Sequence, residues 1–426
     1  MDMKKLKEYI VTDAFTERIE PLYPGSAQEN RHRYLHLADM FTDTFGEPTG
    51  EIRLFSAPGR TEIGGNHTDH QHGRVLAASV DMDMIAAACA NDSGMIRVKS
   101  EGYPLCEISL DNLIPVEEEK NTTASLIRGI AAYFAGNLNA KMTGFDAVVT
   151  STVLPGSGIS SSAAFEVLIG NIINTLFYEG KADAVKIAQI GQYAENVYFG
   201  KPSGLMDQTA SSVGNILTID FEDTEHPIVS RLNVDFTTTG LALCIIDSGA
   251  DHADLTGEYA AIPTELGKIC AMFGKKVLRE VPKEDFLARL PEIRKEAGDR
   301  AVLRALHIYA DNERVPAQAG ALESGDYETF LRLVKESGRS SWMYLQNITP
   351  LGSAEHQEMG VALAICETLL GGRGAFRVHG GGFAGTCQAF VPTDMLGSFR
   401  EQADAMLGPG SCHILSIRGV GGCCVL

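Results

Sequence analysis

His67, Asp69, His70 and His72 fall within the ten residues GGNHTDHQHG, directly after the turn signal Pro58-Gly59-Arg60. Side chains of these types either ligate a metal ion or hydrogen-bond a small hydroxylated molecule. A metal centre needs three or four converging ligands, with partners behind them that fix their orientation. These residues follow one another too closely to converge without a distant ligand, and no such ligand stands out in the chain. Polar groups fixed by short turns suit a hydroxylated substrate better, because a site built to hydrogen-bond an OH rejects compounds lacking it.

A second stretch points to phosphate. In LPGSGISSSAAFEVLIG, residues 154–170, an apolar strand pattern runs into Pro155, Gly156 and Gly158, and three serines then open a helical pattern. Glycine lets backbone N–H groups approach a ligand closely. Serines favour the cap of a helix whose N-terminus carries about half a positive charge. Together they make a cradle for phosphate. No lysine follows the glycines, so this is not a Walker A loop. A merely capped helix needs fewer than the three successive serines present. A third stretch, HGGGFAGT at 379–386, brings backbone close to a ligand or to another chain segment.

The elements that must hold these loops follow from periodicity. Residues 1 to about 50 read as helical, and EIRLFSAPGR reads as a strand broken by Pro58 and Gly59. Further strands are expected in RVLAASVDMDMIAAACA, GMIRVKS, EISL and FDAVVTSTV. Helices are expected in TASLIRGIAAYFAG, SSAAFEVLIGNIINTLFYEG and DAVKIAQIGQYAENVYFG. NILTIDFEDTEHPIVSRLNVDF alternates like paired strands and marks a boundary, giving domains of 1–220 and 221–426. LALCIIDSGA is a buried strand, long helices follow to about residue 372, and RVHGGGFAGTCQAFV and SCHILSIRGV close the chain as strands. Helices and strands mix without strict alternation, so the fold class is α+β with two domains.

Composition bounds the partners. The 426 residues are 44% hydrophobic and 21% charged, as a folded globular chain requires. A net charge of −19 disfavours nucleic acid and anionic membrane alike, so an anionic small molecule needs a local positive field. The nine cysteines form no CxxC pair, which fits reduced thiols in a cytoplasmic protein. The N-terminus MDMKKLKEYIVTDAF lacks the apolar core of a signal peptide, and no run is long enough to cross a bilayer. The terminal CCVL has a prenylation-like outline but no polybasic segment before it.

Five segments line up in order with one family. SAPGRTEIGGNHTDHQHG resembles the N-terminal signature of galactokinases, and LPGSGISSSAA resembles the phosphate loop of the wider GHMP kinase superfamily. QYAENVYFGKPSGLMDQTASSVG is similar to the galactokinase segment carrying a glutamate and the reactive aspartate. DSGADHADLTGEY and RVHGGGFAGTCQAFV match later galactokinase-like segments, so the resemblance spans roughly residues 50–420. It implies a two-domain kinase with its active site in the cleft between domains, transferring the γ-phosphoryl of ATP to the anomeric hydroxyl of galactose with Mg²⁺. By motif match, Asp207 orients or deprotonates the sugar hydroxyl, and Arg60 stabilises it and the transferring charge. Asn66, His67, Asp69, Gly204 and Tyr259 fall at substrate-binding positions. Gly156, Ser157, Gly158, Ser160 and Ser161 fall at ATP-binding positions, and Ser162 and Glu195 at Mg²⁺ positions. The expected partners are sugar and ATP, with the chain a monomer or weak homo-oligomer.

The signature also departs from its family. Most galactokinases carry glutamate at the position of Asn66, asparagine at that of Glu62 and tyrosine at that of His70. Exchanging a carboxylate for an amide turns an acceptor into a group that also donates. The sugar therefore stays open among galactose, N-acetylgalactosamine, arabinose and galacturonate. A non-catalytic galactokinase-like sugar sensor is the competing reading from another class.

Overall fold

Leu54, Ile85, Ala87 and Val148 alternate along their strands with Phe55, Ala86, Ala88, Ala147 and Val149, and both sets are fully or almost fully buried. A strand covered on both faces is apolar throughout, which is why RVLAASVDMDMIAAACA carries no simple polar alternation. The computed structural model, which describes residues 2–153, 158–201, 203–250 and 255–426, places these strands at the centre of an eight-stranded sheet. Its members are β1 Arg53–Gly64, β2 Arg74–Ala90, β3 Met95–Ser100, β4 Leu105–Ser109, β5 Phe145–Ser151, β6 Ile216–Asp220 and β7 Ile228–Arg231. The eighth comes from the far end of the chain. The order is β12-β1-β2-β5-β3-β4, where β12 is Cys423–Cys424, and β6 joins β2 with β7 beyond it.

Helices cover both faces of that sheet. On one side pack α1 Met3–Ile10, α2 Asp13–Ile19 and α3 Ala27–Phe45, through Leu6, Phe15, Tyr34, Leu37 and Phe41. On the other pack α4 Thr123–Gly136, α5 Ser161–Phe177 and α6 Ala184–Tyr193, through Ile130, Phe134, Leu168, Ile172 and Ile187. The helix α7, Met206–Val213, lies beside α5 and α6. Long β2 serves two partners: residues 74–78 pair with β6 and residues 84–90 with β5.

A second sheet of four antiparallel strands has the order β11-β8-β10-β9. These are β8 Leu241–Asp247, β9 Ala375–Val378, β10 Thr386–Pro392 and β11 Cys412–Leu415. One face packs on α13 Glu358–Leu370 and α14 Leu396–Leu407. The other meets α11 Asp299–Glu323 and α12 Tyr327–Ser340, which follow α8 Thr256–Met272, α9 Lys283–Ala288 and α10 Leu290–Glu296. One apolar cluster joins the two sheets, because Leu243, Ile245 and Phe390 share it with Ile63, Leu76, Ala78 and Ile159. The mixed α+β class expected from the element order is the one observed.

Two local expectations are corrected. Pro58 and Gly59 do not end β1; the strand runs on to Gly64, and pairing jumps from Pro58 opposite Asp83 to Arg60 opposite Ser79. Proline has no N–H for a ladder, so the chain takes a bulge there rather than a turn. Gly59 is required at that point, since a Cβ would lie 2.4 Å from Ile159 Cγ2. The single helix expected through residue 199 is instead α6 followed by a π-helix, Ala194–Phe199. The helices α7 and α14 and the strand β12 carry patterns too short or too polar to read from periodicity. All nine cysteines are free thiols, and among the described residues no helix is long and apolar enough to cross a membrane.

Candidate active site

The bulge in β1 aims Arg60 at the first turn of α7. Arg60 Nε lies 2.6 Å from Asp207 Oδ1 and Nη2 lies 2.7 Å from Oδ2, a two-pronged charge-assisted pair. The remaining prong, Nη1, donates to the Gly158 carbonyl, and the Arg60 amide donates to the Ile159 carbonyl at 2.9 Å. One arginine thus ties β1, the loop before α5 and α7 together. Ser160 donates its hydroxyl to Asp207 Oδ2 at 2.8 Å. Ser160 was expected to cap α5, and it does not: its backbone is left-handed (φ 61°, ψ 72°) and makes no side-chain cap bond. Capping needs extended backbone at that position, so the hydroxyl turns to the carboxylate instead.

Burial alone would raise the Asp207 carboxyl. The charge and hydrogen bonds of Arg60, the Ser160 hydroxyl and the Lys201 charge more than offset it, holding the group below the usual carboxylate range. Asp207 is therefore an ionised acceptor at the positive end of a helix dipole, fit to orient a hydroxyl.

A second acidic cluster lies next to it. Glu195, on the π-helix, is buried, and its Oε1 takes the Ser162 hydroxyl at 3.5 Å and Lys201 Nζ at 3.3 Å. Its Oε2 takes Gln208 Nε2 at 2.9 Å, and the same Nε2 lies 2.9 Å from Glu166 Oε2. Desolvation, then the Glu195 charge, push the Glu166 carboxyl well above its ordinary value, which favours its uncharged form. Ser162 and Glu195 present hard oxygens side by side, the donor set that Mg²⁺ prefers. Glu166, Lys201 and Gln208 were missed in the sequence. An acid inside AAFEVLIG, on a helix with buried neighbours, was the available signal for Glu166.

The sugar-signature residues divide. His67, at φ 60°, has Nε2 3.0 Å from the Gly381 carbonyl, so that nitrogen carries the proton. Burial, then the charge of His70, lower its imidazole to about 3, so it is neutral under ordinary conditions. Asp69 Oδ2 stands 1.9 Å from where a Cβ on residue 204 would be, so a side chain at Gly204 would displace the Asp69 carboxylate. Tyr259 packs its ring on Gly381 and donates its hydroxyl to the Gly382 carbonyl at 2.9 Å.

Asn66 is at odds with the substrate contact expected of it. It is fully buried, and its amide donates to Glu62 Oε1 at 3.0 Å and the Gly380 carbonyl at 2.7 Å. Its oxygen accepts from Ser341 at 3.1 Å and Asn347 at 2.9 Å. Glu62 in turn pairs with fully buried Arg377 at 2.6 Å. The carboxylate that the signature loses at residue 66 reappears one helical-turn's length earlier in the chain, held by an arginine.

The HGGG segment answers the alternative left open for it: its glycines pass close to protein. A Cβ on Gly382 would lie 2.1 Å from the Asn347 carbonyl, and one on Gly158 2.6 Å from Thr386 Oγ1. Gly158 is left-handed (φ 70°), which favours glycine. Ser161 opens α5 beside Ser160 and Ser162. Gly156 and Ser157, expected at the phosphate, lie outside the described residues, as do residues 251–254 of the DSGADHADLTGEY segment.

Comparison with known proteins now bears on this arrangement. Residues 39–90 match the galactokinase galactose-binding signature, and residues 125–215 match the GHMP kinases N-terminal domain. Among solved structures, a Lactococcus lactis galactokinase complexed with galactose superposes with a TM-score of 0.78 at 23% identity, over 91% of this chain and 99% of the other. This chain has the GHMP kinase fold. Two other structures with that fold agree at lower identity. Methanococcus jannaschii mevalonate kinase gives 0.62 at 12% identity, covering 87% of this chain and 99% of the other. Streptococcus pneumoniae phosphomevalonate kinase, in complex with phosphomevalonate and AMPPNP, gives 0.60 at 12%, covering 85% and 99%. Arg60 and the 64–73 cluster fall inside the galactokinase signature. Ser160, Ser162, Glu195 and Asp207 fall inside the GHMP kinase segment.

Proposed function

We propose that the protein is an ATP-dependent sugar 1-kinase acting on galactose. The observation that carries this reading is the Ser160–Asp207–Arg60 unit at the N-terminus of α5, inside matches to the galactokinase signature and the GHMP kinase domain. Phosphoryl transfer needs positioning, charge neutralisation and an oriented nucleophile rather than covalent participation by the protein.

Asp207 accepts a hydrogen bond from the anomeric hydroxyl and takes its proton as the oxygen–Pγ bond forms and the bond from Pγ to the β-phosphate oxygen breaks. Its lowered basicity suits orientation over early abstraction, which a loose transition state tolerates. Arg60 keeps Asp207 ionised and fixes its orientation. The first turn of α5, with Ser161, offers amides and a dipole end to the phosphates, and Gly156, Ser157 and Gly158 are assigned to the same phosphates by motif match alone. Ser162 and Glu195 would hold Mg²⁺, which supplies neutralisation of phosphate charge when bound. His67 and Asp69, with Gly204 giving Asp69 room, hold the sugar hydroxyls, and Tyr259 shapes the far wall.

A second reading, a kinase for a larger relative of galactose, is favoured by one observation. A half-open cavity of about 590 Å³ is bordered by Asp69 and Gly204 and continues past His70, His72, Lys186 and Gln192. That volume and polar lining suit an added hydroxylated or acylamino group on the sugar.

Coupled ATP consumption with galactose, N-acetylgalactosamine, arabinose and galacturonate separates these readings. The expected result is galactose-dependent ADP release with a sugar 1-phosphate product. Preference for N-acetylgalactosamine moves the assignment to the second reading, and no turnover with any sugar overturns both.

A further inference from the structure

An acidic chain that binds ATP needs a positive field at the phosphates, yet LPGSGISSSAA contains neither lysine nor arginine. Arg60 does not supply it freely, since both of its paired nitrogens are committed to Asp207. Lys201 is placed differently. Its Nζ lies 3.3 Å from Glu195 Oε1, the same oxygen that takes the Ser162 hydroxyl.

The backbone under Lys201 is fixed. The π-helix ends at Gly200 in a left-handed conformation (φ 90°), and the amides of Gly200 and Lys201 both donate to the Glu195 carbonyl, at 3.0 and 3.1 Å. Glu195 therefore anchors Lys201 by main chain and by side chain. A π-helix inserted at this point is a feature that recurs at functional sites. The side chains of the pair differ sharply in exposure, 60% for Lys201 against 4% for Glu195. The Lys201 end of the pair is open to solvent, so its ammonium has room to turn toward a ligand, while buried Glu195 keeps its hydrogen bonds from Ser162 and Gln208.

Resting on the kinase reading, we infer that Lys201 is the cation that contacts the triphosphate of ATP, supplied from the end of the π-helix in place of a loop lysine. Lys201 balances Glu195 and, with nucleotide present, swings on its four-carbon stem toward the phosphate charge. This makes Lys201 a nucleotide-specific contact, not a part of the sugar clamp.

Calorimetric titration of ATP and AMP, in EDTA, into wild type, Lys201→Ala and Lys201→Arg tests this. ATP affinity should fall about tenfold or more in Lys201→Ala, as loss of a charge-assisted bond implies. AMP and galactose affinities should stay unchanged, and Lys201→Arg should keep most of the ATP affinity. Equal losses for ATP and AMP, or no loss for either, overturn the inference while leaving the kinase reading in place. Failure of the wild type to bind ATP at all overturns both together.

Discussion

The two halves of the site are built on opposite principles. On the proposed transfer side, Asp207, Glu195, Arg60 and Lys201 form two ion pairs, each with one member open to solvent: Asp207 is 30% exposed and Lys201 60%. On the proposed sugar side, Asn66, Glu62, Arg377 and Asn347 form a buried network in which Asn66 and Glu62 are paired while Arg377 Nε and Nη1 and Asn347 Oδ1 have no hydrogen-bond partner among the described residues. Charge that a substrate can displace suits chemistry. Charge sealed under a glycine turn suits a rigid wall, because an unpaired group there carries the full desolvation penalty. A signature that reads as a row of sugar ligands is therefore partly a strut.

The comparison breaks most visibly on the transfer side. Asp207→Asn keeps the shape and a hydrogen bond to Arg60 but removes the acceptor's charge, so kcat should fall about a thousandfold. Steady-state kinetics with galactose would check this, alongside a urea unfolding curve close to that of the wild type. Survival of activity would remove Asp207 from the orienting role.

On the sugar side the large effect should be on stability. Asn66→Ala leaves Glu62, the Gly380 carbonyl, Ser341 and Asn347 short of partners in the interior. Chemical denaturation should show a loss of about 3 kcal/mol. If Asn66→Ala instead raised the KM for galactose with stability intact, the residue would be a ligand after all.

The smallest effect concerns Glu166, the buried acid beside Glu195. The folded Glu166 carboxyl sits above its unfolded value near 4.3, so the native state holds a proton that the unfolded chain releases. Stability from this group is flat below that pH and declines as pH rises toward the folded value. Glu166→Gln, uncharged at every pH, should lose that decline, and its stability advantage over wild type should widen from pH 5 to pH 8. A gap that narrows with pH would mean Glu166 is ionised in the fold.

These contrasts explain which parts were legible in the sequence. The strand-rich and helical segments carried strong periodicity, and the glycine-serine loop carried its chemistry in residue type alone. The Arg60–Asp207 pair came from motif match, and it is assembled across β1 and α7 by contacts of 147 residues' separation. The role of Asn66 was not legible because burial is a property of the packed chain: Asp311, Ser341, Asn347 and Gly380 reach it from more than 240 residues away. Lys201 and Gln208 were hidden for the same reason, since the π-helix that sets Lys201 against Glu195 leaves no mark on hydropathy.

The central claim is that an ionised Asp207, fixed by Arg60 and Ser160, directs a sugar's anomeric oxygen to the γ-phosphorus of ATP. Phosphorus NMR of galactose and ATP incubated with the enzyme and Mg²⁺ tests it directly. The account predicts a phosphate doublet coupled to the anomeric proton, growing in step with ADP for the wild type and absent for Asp207→Asn. Phosphate on another carbon, or the same doublet from Asp207→Asn at the wild-type rate, would contradict it.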